Sequence, residues 1–193
     1  MTVILEVLHL KPDHTLLLTE LFSRIAADPL SNRFHPHPFT ATEADRICHY
    51  GGRDRYLALR IDDQLSAYCM LRGWDEGFSV PSLGIYVAPE LRGSGAARLM
   101  MQHLHLTARL SGAERIRLKV YADNLSAYKL YASLGYCFSD PADNTGQLVG
   151  IFDLSRSALM RSGTVTGRDG CSSVHTLLSE SAVEDDPSSA NRL

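Results

Sequence analysis

Leu83-Gly-Ile-Tyr-Val-Ala-Pro-Glu-Leu-Arg-Gly-Ser-Gly-Ala-Ala-Arg-Leu-Met100 is the stretch whose reading decides the fold. It reads as a strand, a sharp turn of small residues, and a helix. Such a turn leaves several backbone N–H groups at a helix N-terminus without intrahelical partners, beside Arg92. The unused donors and the helix dipole together favour a bound phosphate. Gly93, Gly95, Ala96 and Ala97 leave room for a ligand to approach the backbone. The stretch predicts a phosphorylated cofactor. A glycine-containing turn also occurs without ligands, so the loop by itself leaves a plain structural turn open.

Two better-known phosphate signatures are excluded. The third glycine of a dinucleotide fingerprint is missing, because Arg98 stands there, and no G-x-x-x-x-G-K-[ST] string occurs. Outward from the loop, Val3–Leu8 reads as a first strand and His14–Asp28 as an amphipathic helix through Leu17, Leu18, Leu21, Phe22 and Ile25, ended by Asp28-Pro29. Thr40 with Glu43 has the spacing of a capping box. Tyr56–Ile61 and Leu65–Arg72 pair through an Asp62-Asp63 turn. Phe78–Val87 reads as a strand made irregular by Pro81. The following helix is expected from near Leu91 to Leu110, ended by Ser111-Gly112. Arg115–Tyr121 alternates, with Ile116, Leu118 and Val120 on one side and Arg117, Lys119 and Tyr121 on the other. Asp123 or Asn124 caps a last helix to Leu134-Gly135, and Tyr136–Ser139 with Gln147–Leu154 closes the sheet.

The chain has 193 residues, 45% hydrophobic, with a formal net charge of −3. One domain, residues 1–154, is expected, followed by a serine-rich tail, 155–193, whose composition predicts disorder. No basic surplus points to nucleic acid. No apolar run is long enough to span a membrane, and the N-terminus lacks a cationic start followed by an apolar segment. Cys48, Cys69, Cys137 and Cys171 are scattered. Cys69 and Cys137 lie in apolar stretches and are read as buried thiols, in a reducing, cytoplasmic setting.

Arg92-x-x-Gly95-x-Ala97, after a strand ending Val87-Ala-Pro, resembles the acetyl-CoA signature of the GNAT superfamily of N-acetyltransferases. Asn124-Leu-Ser-Ala-Tyr-Lys-Leu-Tyr131-Ala-Ser-Leu-Gly135-Tyr136 resembles that superfamily's second motif, with the expected strand between the two. The resemblance implies an α+β fold with a mixed, mostly antiparallel central sheet. Its strands would splay between Leu83–Val87 and Arg115–Tyr121, with acetyl-CoA in the opening and helices on the flanks. The backbone of Arg92, Gly93, Ser94, Gly95, Ala96 and Ala97 would hold the diphosphate. The backbone of Ile85, Tyr86 and Val87 would hold the pantetheine arm and acetyl carbonyl, and Asn124 and Tyr128 would contribute cofactor contacts.

Tyr131 matches the family's general acid, which protonates the departing thiolate. It shares a helix face with Asn124, seven residues earlier, whose side chain also has a capping role. The base is unassigned: Phe78–Val87 contains no acid. Asp75 and Glu76 in the preceding turn, His35 and His37 in Phe34-His-Pro-His-Pro-Phe39, and water are the candidates. The two histidines lack a third ligand nearby, so no metal is expected. Trp74 either lines the acceptor pocket or covers the hairpin end, and His103 has the spacing of a packed residue between Leu99 and Leu106.

The implied activity is direct acetyl transfer from acetyl-CoA to the primary amine of a small molecule: an amino sugar, an amino acid or a polyamine. The alternatives are a protein N-terminus or lysine as acceptor, or a non-catalytic acyl-CoA sensor. Neither nucleic acid nor membrane is expected as a partner, and the oligomeric state is open, a homodimer included.

Overall fold

The computed structural model describes residues 3–139 and 146–155. The expected disordered tail and Cys171 lie outside the described residues. Seven strands form one sheet: β1 (Leu5–His9), β2 (Arg55–Ile61), β3 (Gln64–Arg72), β4 (Ser82–Val87), β5 (Arg115–Tyr121), β6 (Cys137–Ser139) and β7 (Gln147–Asp153). Their order is β1-β2-β3-β4-β5-β7-β6. Every neighbouring pair is antiparallel except β4 and β5. The helices are α1 (Thr15–Ala27), α2 (Ala41–Cys48), α3 (Ala96–Leu110) and α4 (Leu125–Leu134). No helix among the described residues is long and apolar enough to cross a membrane.

The period-2 alternation of the strands sorts side chains into two cores, one on each face of the sheet. Leu57, Leu59, Cys69 and Leu71 face α3 and α4, where Met100, Met101, Leu104 and Ala108 of α3 meet Ile116, Leu118 and Val120 of β5. Tyr56, Ala58, Tyr68, Met70 and Tyr86 face α1 and α2, against Leu18, Leu21, Phe22 and Ile25 of α1. These four α1 side chains are fully buried, as their helical spacing requires. At α2 the Thr40 hydroxyl accepts from the Glu43 N–H at 3.2 Å. The Glu43 carboxylate does not complete the box: it takes two hydrogen bonds from Arg46, at 2.7 and 2.8 Å.

Four sequence expectations are corrected. The regular strand starts at Ser82, because Trp74–Gly77 forms a turn and Pro81 precedes the ladder. Helix α3 starts at Ala96: Pro89–Leu91 is a separate 3-10 turn, and Gly93 and Gly95 adopt left-handed φ of +80° and +93°, which no helix continues through. On α3 the face with Leu99 and Leu106 is exposed, so His103 does not lie on the core stripe. His105 lies on the packed side, with its ring stacked on Phe152 at 4.2 Å and its Nε2 2.9 Å from the Tyr136 hydroxyl. Cys69 is buried as read, but Cys137 is exposed, because β6 is the sheet's edge strand.

The feature that makes the site is the parallel pair. β4 and β5 share a single register pair, Ser82 opposite Arg117, with the Arg117 N–H donating to the Pro81 carbonyl at 3.0 Å. Past that point the two strands separate, whereas β3–β4 and β5–β7 stay paired along their lengths.

Candidate active site

The opening between β4 and β5 is a cleft of about 990 Å³. Its first wall is β4. The Ala88 N–H donates to Ser66 on the β3 side, and the Pro81 carbonyl accepts from β5. Hydrogen-bonding direction alternates along a strand. The N–H and C=O groups of Ile85 and Val87 therefore face the side that β5 has left. Ile85, Tyr86 and Val87 all line the cleft. The Tyr86 side chain does not serve it: its ring is buried and its hydroxyl donates to Asp28 at 3.0 Å. Burial, then that carboxylate, pushes the Tyr86 phenol up to about 12.

The second part is the loop from β4 to α3. Gly95 is the N-cap of α3, with no side-chain cap, and a Cβ built on Gly93 or Gly95 would meet only open space. The Ser94 hydroxyl donates back to the Leu91 carbonyl at 2.7 Å and accepts from the Ala96 N–H at 3.3 Å. The N–H groups of Gly95, Ala97 and Arg98 have no acceptor among the described residues. A helix start with three unused donors and no Cβ over it suits an anionic group.

Arg92 lines the cleft, yet its guanidinium is committed to protein. Nε donates to the Val87 carbonyl at 3.2 Å, Nη2 pairs with Asp28, and the group lies over the Tyr86 ring at 5.9 Å. Burial raises the Asp28 carboxyl, but hydrogen bonds from the Leu30 N–H, Arg92 and Tyr86 outweigh it and hold the group below its ordinary value. Asp28 thus ties the end of α1 to the loop. Sequence reasoning had treated it only as part of a helix stop, since its partner Arg92 lies 64 positions away.

The third part is α4. The Asn124 side chain accepts from the Ala127 N–H at 3.3 Å, which caps the helix, and Asn124 also lines the cleft. Tyr131 projects from the same helix into the cleft wall and is only 9% exposed. Its hydroxyl has no hydrogen-bond partner among the described residues. Burial pushes its pKa up to about 12. A phenol with that value stays protonated at neutral pH and donates to whatever approaches it.

Not every expected residue comes to the cleft. Tyr128 turns to Phe138, with ring centres 4.7 Å apart. His37 is buried among Phe22, Phe39 and Tyr68, and its Nε2 lies 2.9 Å from the Tyr68 hydroxyl. Burial lowers its pKa. His35 and Pro36 line the cleft, whereas His37 packs its ring against Phe22 and Tyr68. Asp75 is used up by the Arg53 N–H at 3.0 Å, and Trp74 is buried under Arg55. Glu76 does line the cleft, 3.9 Å from Arg72. No group of three or more His, Cys, Asp or Glu among the described residues is arranged to hold a metal ion.

One groove therefore joins a helix start with free donors, an unpaired strand edge and a protonated tyrosine. It suits a long ligand, anionic at one end. Similar proteins carry the same arrangement of elements. The profile of the acetyltransferase (GNAT) family matches residues 20–136. An uncharacterized N-acetyltransferase of Bacillus subtilis, YdgE, is 44% identical over 59 residues, which are 31% of this chain and 36% of that protein. The chain thus matches about a third of that relative's length. Among solved structures, the GNAT domain of S. lividans PAT superposes with a TM-score of 0.67 at 19% identity, over 76% of this chain and 89% of that one. A spermidine N-acetyltransferase chimera from Vibrio cholerae and hSSAT gives 0.63 at 16% identity, over 80% and 98%. With the family profile covering more than half of its length and the splayed sheet to match, the chain belongs to the acetyltransferase (GNAT) family.

Proposed function

We propose that this protein is an N-acetyltransferase that moves the acetyl group of acetyl-CoA to the primary amine of a small molecule by direct attack. The observation that carries the reading is the single cleft in which the open β4 edge, the uncapped start of α3 and the Tyr131 hydroxyl meet. The residues fit the co-substrate that the family uses. The N–H groups of Gly95, Ala97 and Arg98 would take the diphosphate, and Ile85 and Val87 the amides of the pantetheine arm. Acetyl-CoA supplies an acyl group already activated as a thioester.

The chain's own residues then do three things. A main-chain N–H of β4 at the reacting carbonyl stabilises charge that develops on its oxygen. The Tyr131 hydroxyl gives its proton to the sulfur as the C–S bond breaks and the N–C bond forms. The amine, with a pKa of roughly 10 when free, must shed a proton first. Glu76 and His35 are the titratable side chains of the cleft placed to accept it, directly or through water. A small acceptor is supported by the enclosure of that end. Phe34 stacks between Phe39 and Tyr86 there.

Thiol release from acetyl-CoA with a panel of amines tests this, with mass spectrometry of the acetylated product. Turnover of a small amine is expected. Turnover of peptides alone would move the acceptor to protein. Tight acetyl-CoA binding with no turnover of any amine would leave an acyl-CoA sensor.

A further inference from the structure

The acceptor end of the cleft has a floor that the acetyl-transfer chemistry does not require. Arg72 on β3 is in register with Ser82 on β4, and Ser82 with Arg117 on β5. Residues directly opposite each other point to the same face, and neighbouring strands lie about 4.8 Å apart. Two guanidinium groups thus flank one serine hydroxyl, in a row across the sheet, at the point where the strands begin to part. All three residues line the cleft.

The charge of this row is only partly neutralised. Arg72 donates from Nη1 to the Pro36 carbonyl at 3.0 Å, meets Glu76 at 3.9 Å and lies in the field of Glu43, and its buried Nε has no partner among the described residues. Arg117 is exposed and makes no ion pair among the described residues. Arg33 adds nothing to this charge, because Asp123 pairs with it. An anion seated over Ser82 would have a guanidinium group on either side of it.

That anion is not the diphosphate. The row is at the first residue of β4 and the phosphate loop follows its last, about 17 Å away at strand spacing. A purely cationic acceptor would meet like charge here. The proposed reaction needs an amine, so the oxyanion belongs on the same molecule.

We infer that the acceptor is an amine that also carries a carboxylate or phosphate, which the Arg72–Ser82–Arg117 row binds while the amino group reaches the thioester. This rests on the acetyltransferase reading above. The guanidinium fork matches either oxyanion, and the serine hydroxyl supplies one more donor.

The test is steady-state thiol release with amino acids and phospho-amines, each compared with its amide or dephosphorylated parent, and with spermidine. Acceptors bearing the oxyanion should show kcat/KM at least about tenfold higher. Whether carboxylates or phosphates lead the panel separates the two sources of the charge. The variant is Arg117→Gln, since Arg117 is exposed and Arg72 has structural bonds to lose. It should raise KM for the best acceptor about tenfold or more and leave the calorimetric Kd of acetyl-CoA within about twofold. R117E should shift preference toward spermidine. Calorimetry on the N-acetylated product gives a readout without turnover: the acid should bind about tenfold tighter than its amide, and R117Q should abolish the difference. Best turnover of spermidine or of neutral amides, or an unchanged KM in R117Q, overturns this inference and leaves the acetyltransferase reading standing. Acetyl-CoA binding without turnover of any amine overturns both.

Discussion

At the scale of single residues, the proposed reaction draws the proton for the departing sulfur from Tyr131, whose phenol is protonated at neutral pH. Burial pushes the phenol up to about 12. Replacing it in Tyr131→Phe should lower kcat by about 10²- to 10⁴-fold, with acetyl-CoA affinity within about twofold by calorimetry. Unchanged kcat would remove the acid assignment. His105 governs stability rather than rate. Burial lowers its pKa to about 4, from an ordinary 6.5. Between those values the unfolded chain binds a proton that the folded chain refuses, so stability falls as pH drops from 6.5 toward 4. The loss should reach about 3 kcal/mol at most, read from urea unfolding across that window. His105→Gln should flatten the slope. Asp28 acts lower down, as pH falls through its depressed pKa and its bonds to Arg92 and Tyr86 weaken. The spacing of Asn124 and Tyr131, seven residues apart, put them on one side of the last helix, and both line the cleft; the roles given to them rest on the family resemblance. The Arg72–Ser82–Arg117 row was not legible in the sequence. Alternation put Arg117 on the far side of β5 from Ile116, but only the sheet's register names its neighbours.

At the scale of elements, the loop proposed to take the diphosphate depends on backbone shape more than on side chains. Gly95 has φ of +93°, which costs an L residue about 1–2 kcal/mol. Gly95→Ala should therefore lower stability by about that much and weaken acetyl-CoA binding by about tenfold or more, since the relaxed loop loses its converging donors. Equal affinity would mean that the donors lie elsewhere. Asp28→Ala leaves the Tyr86 hydroxyl, the Leu30 N–H and the Arg92 guanidinium without their shared acceptor. The expected loss is about 2–4 kcal/mol in chemical unfolding, with weaker acetyl-CoA binding as the loop's tie to α1 is cut. Most elements could be read from pattern. β5 agrees residue for residue, because its strict alternation reflects burial on one face only. The starts of β4 and α3 could not. There glycine and proline cut periodic stretches short, and where the cut falls is set by tertiary hydrogen bonds such as Arg117 N–H to the Pro81 carbonyl.

At the scale of the whole molecule, two hydrophobic cores clamp a sheet that is fully paired on either side and open at its centre, between β4 and β5. A ligand that fills the opening replaces the missing ladder, so it should stabilise the fold. At about 100 times Kd, acetyl-CoA should add about 2.7 kcal/mol and raise Tm accordingly, while ATP and NAD at the same concentration should not. A larger shift with either nucleotide would reassign the cleft. The central claim is that the main-chain donors at the start of α3 hold the diphosphate of coenzyme A and direct its thioester to Tyr131. A crystal structure of the complex with acetyl-CoA tests it most directly. Diphosphate oxygens are expected about 3 Å from the N–H groups of Gly95, Ala97 and Arg98, and the sulfur within hydrogen-bond reach of the Tyr131 hydroxyl. A diphosphate bound away from that loop, or a cleft left empty at saturating acetyl-CoA, would contradict it.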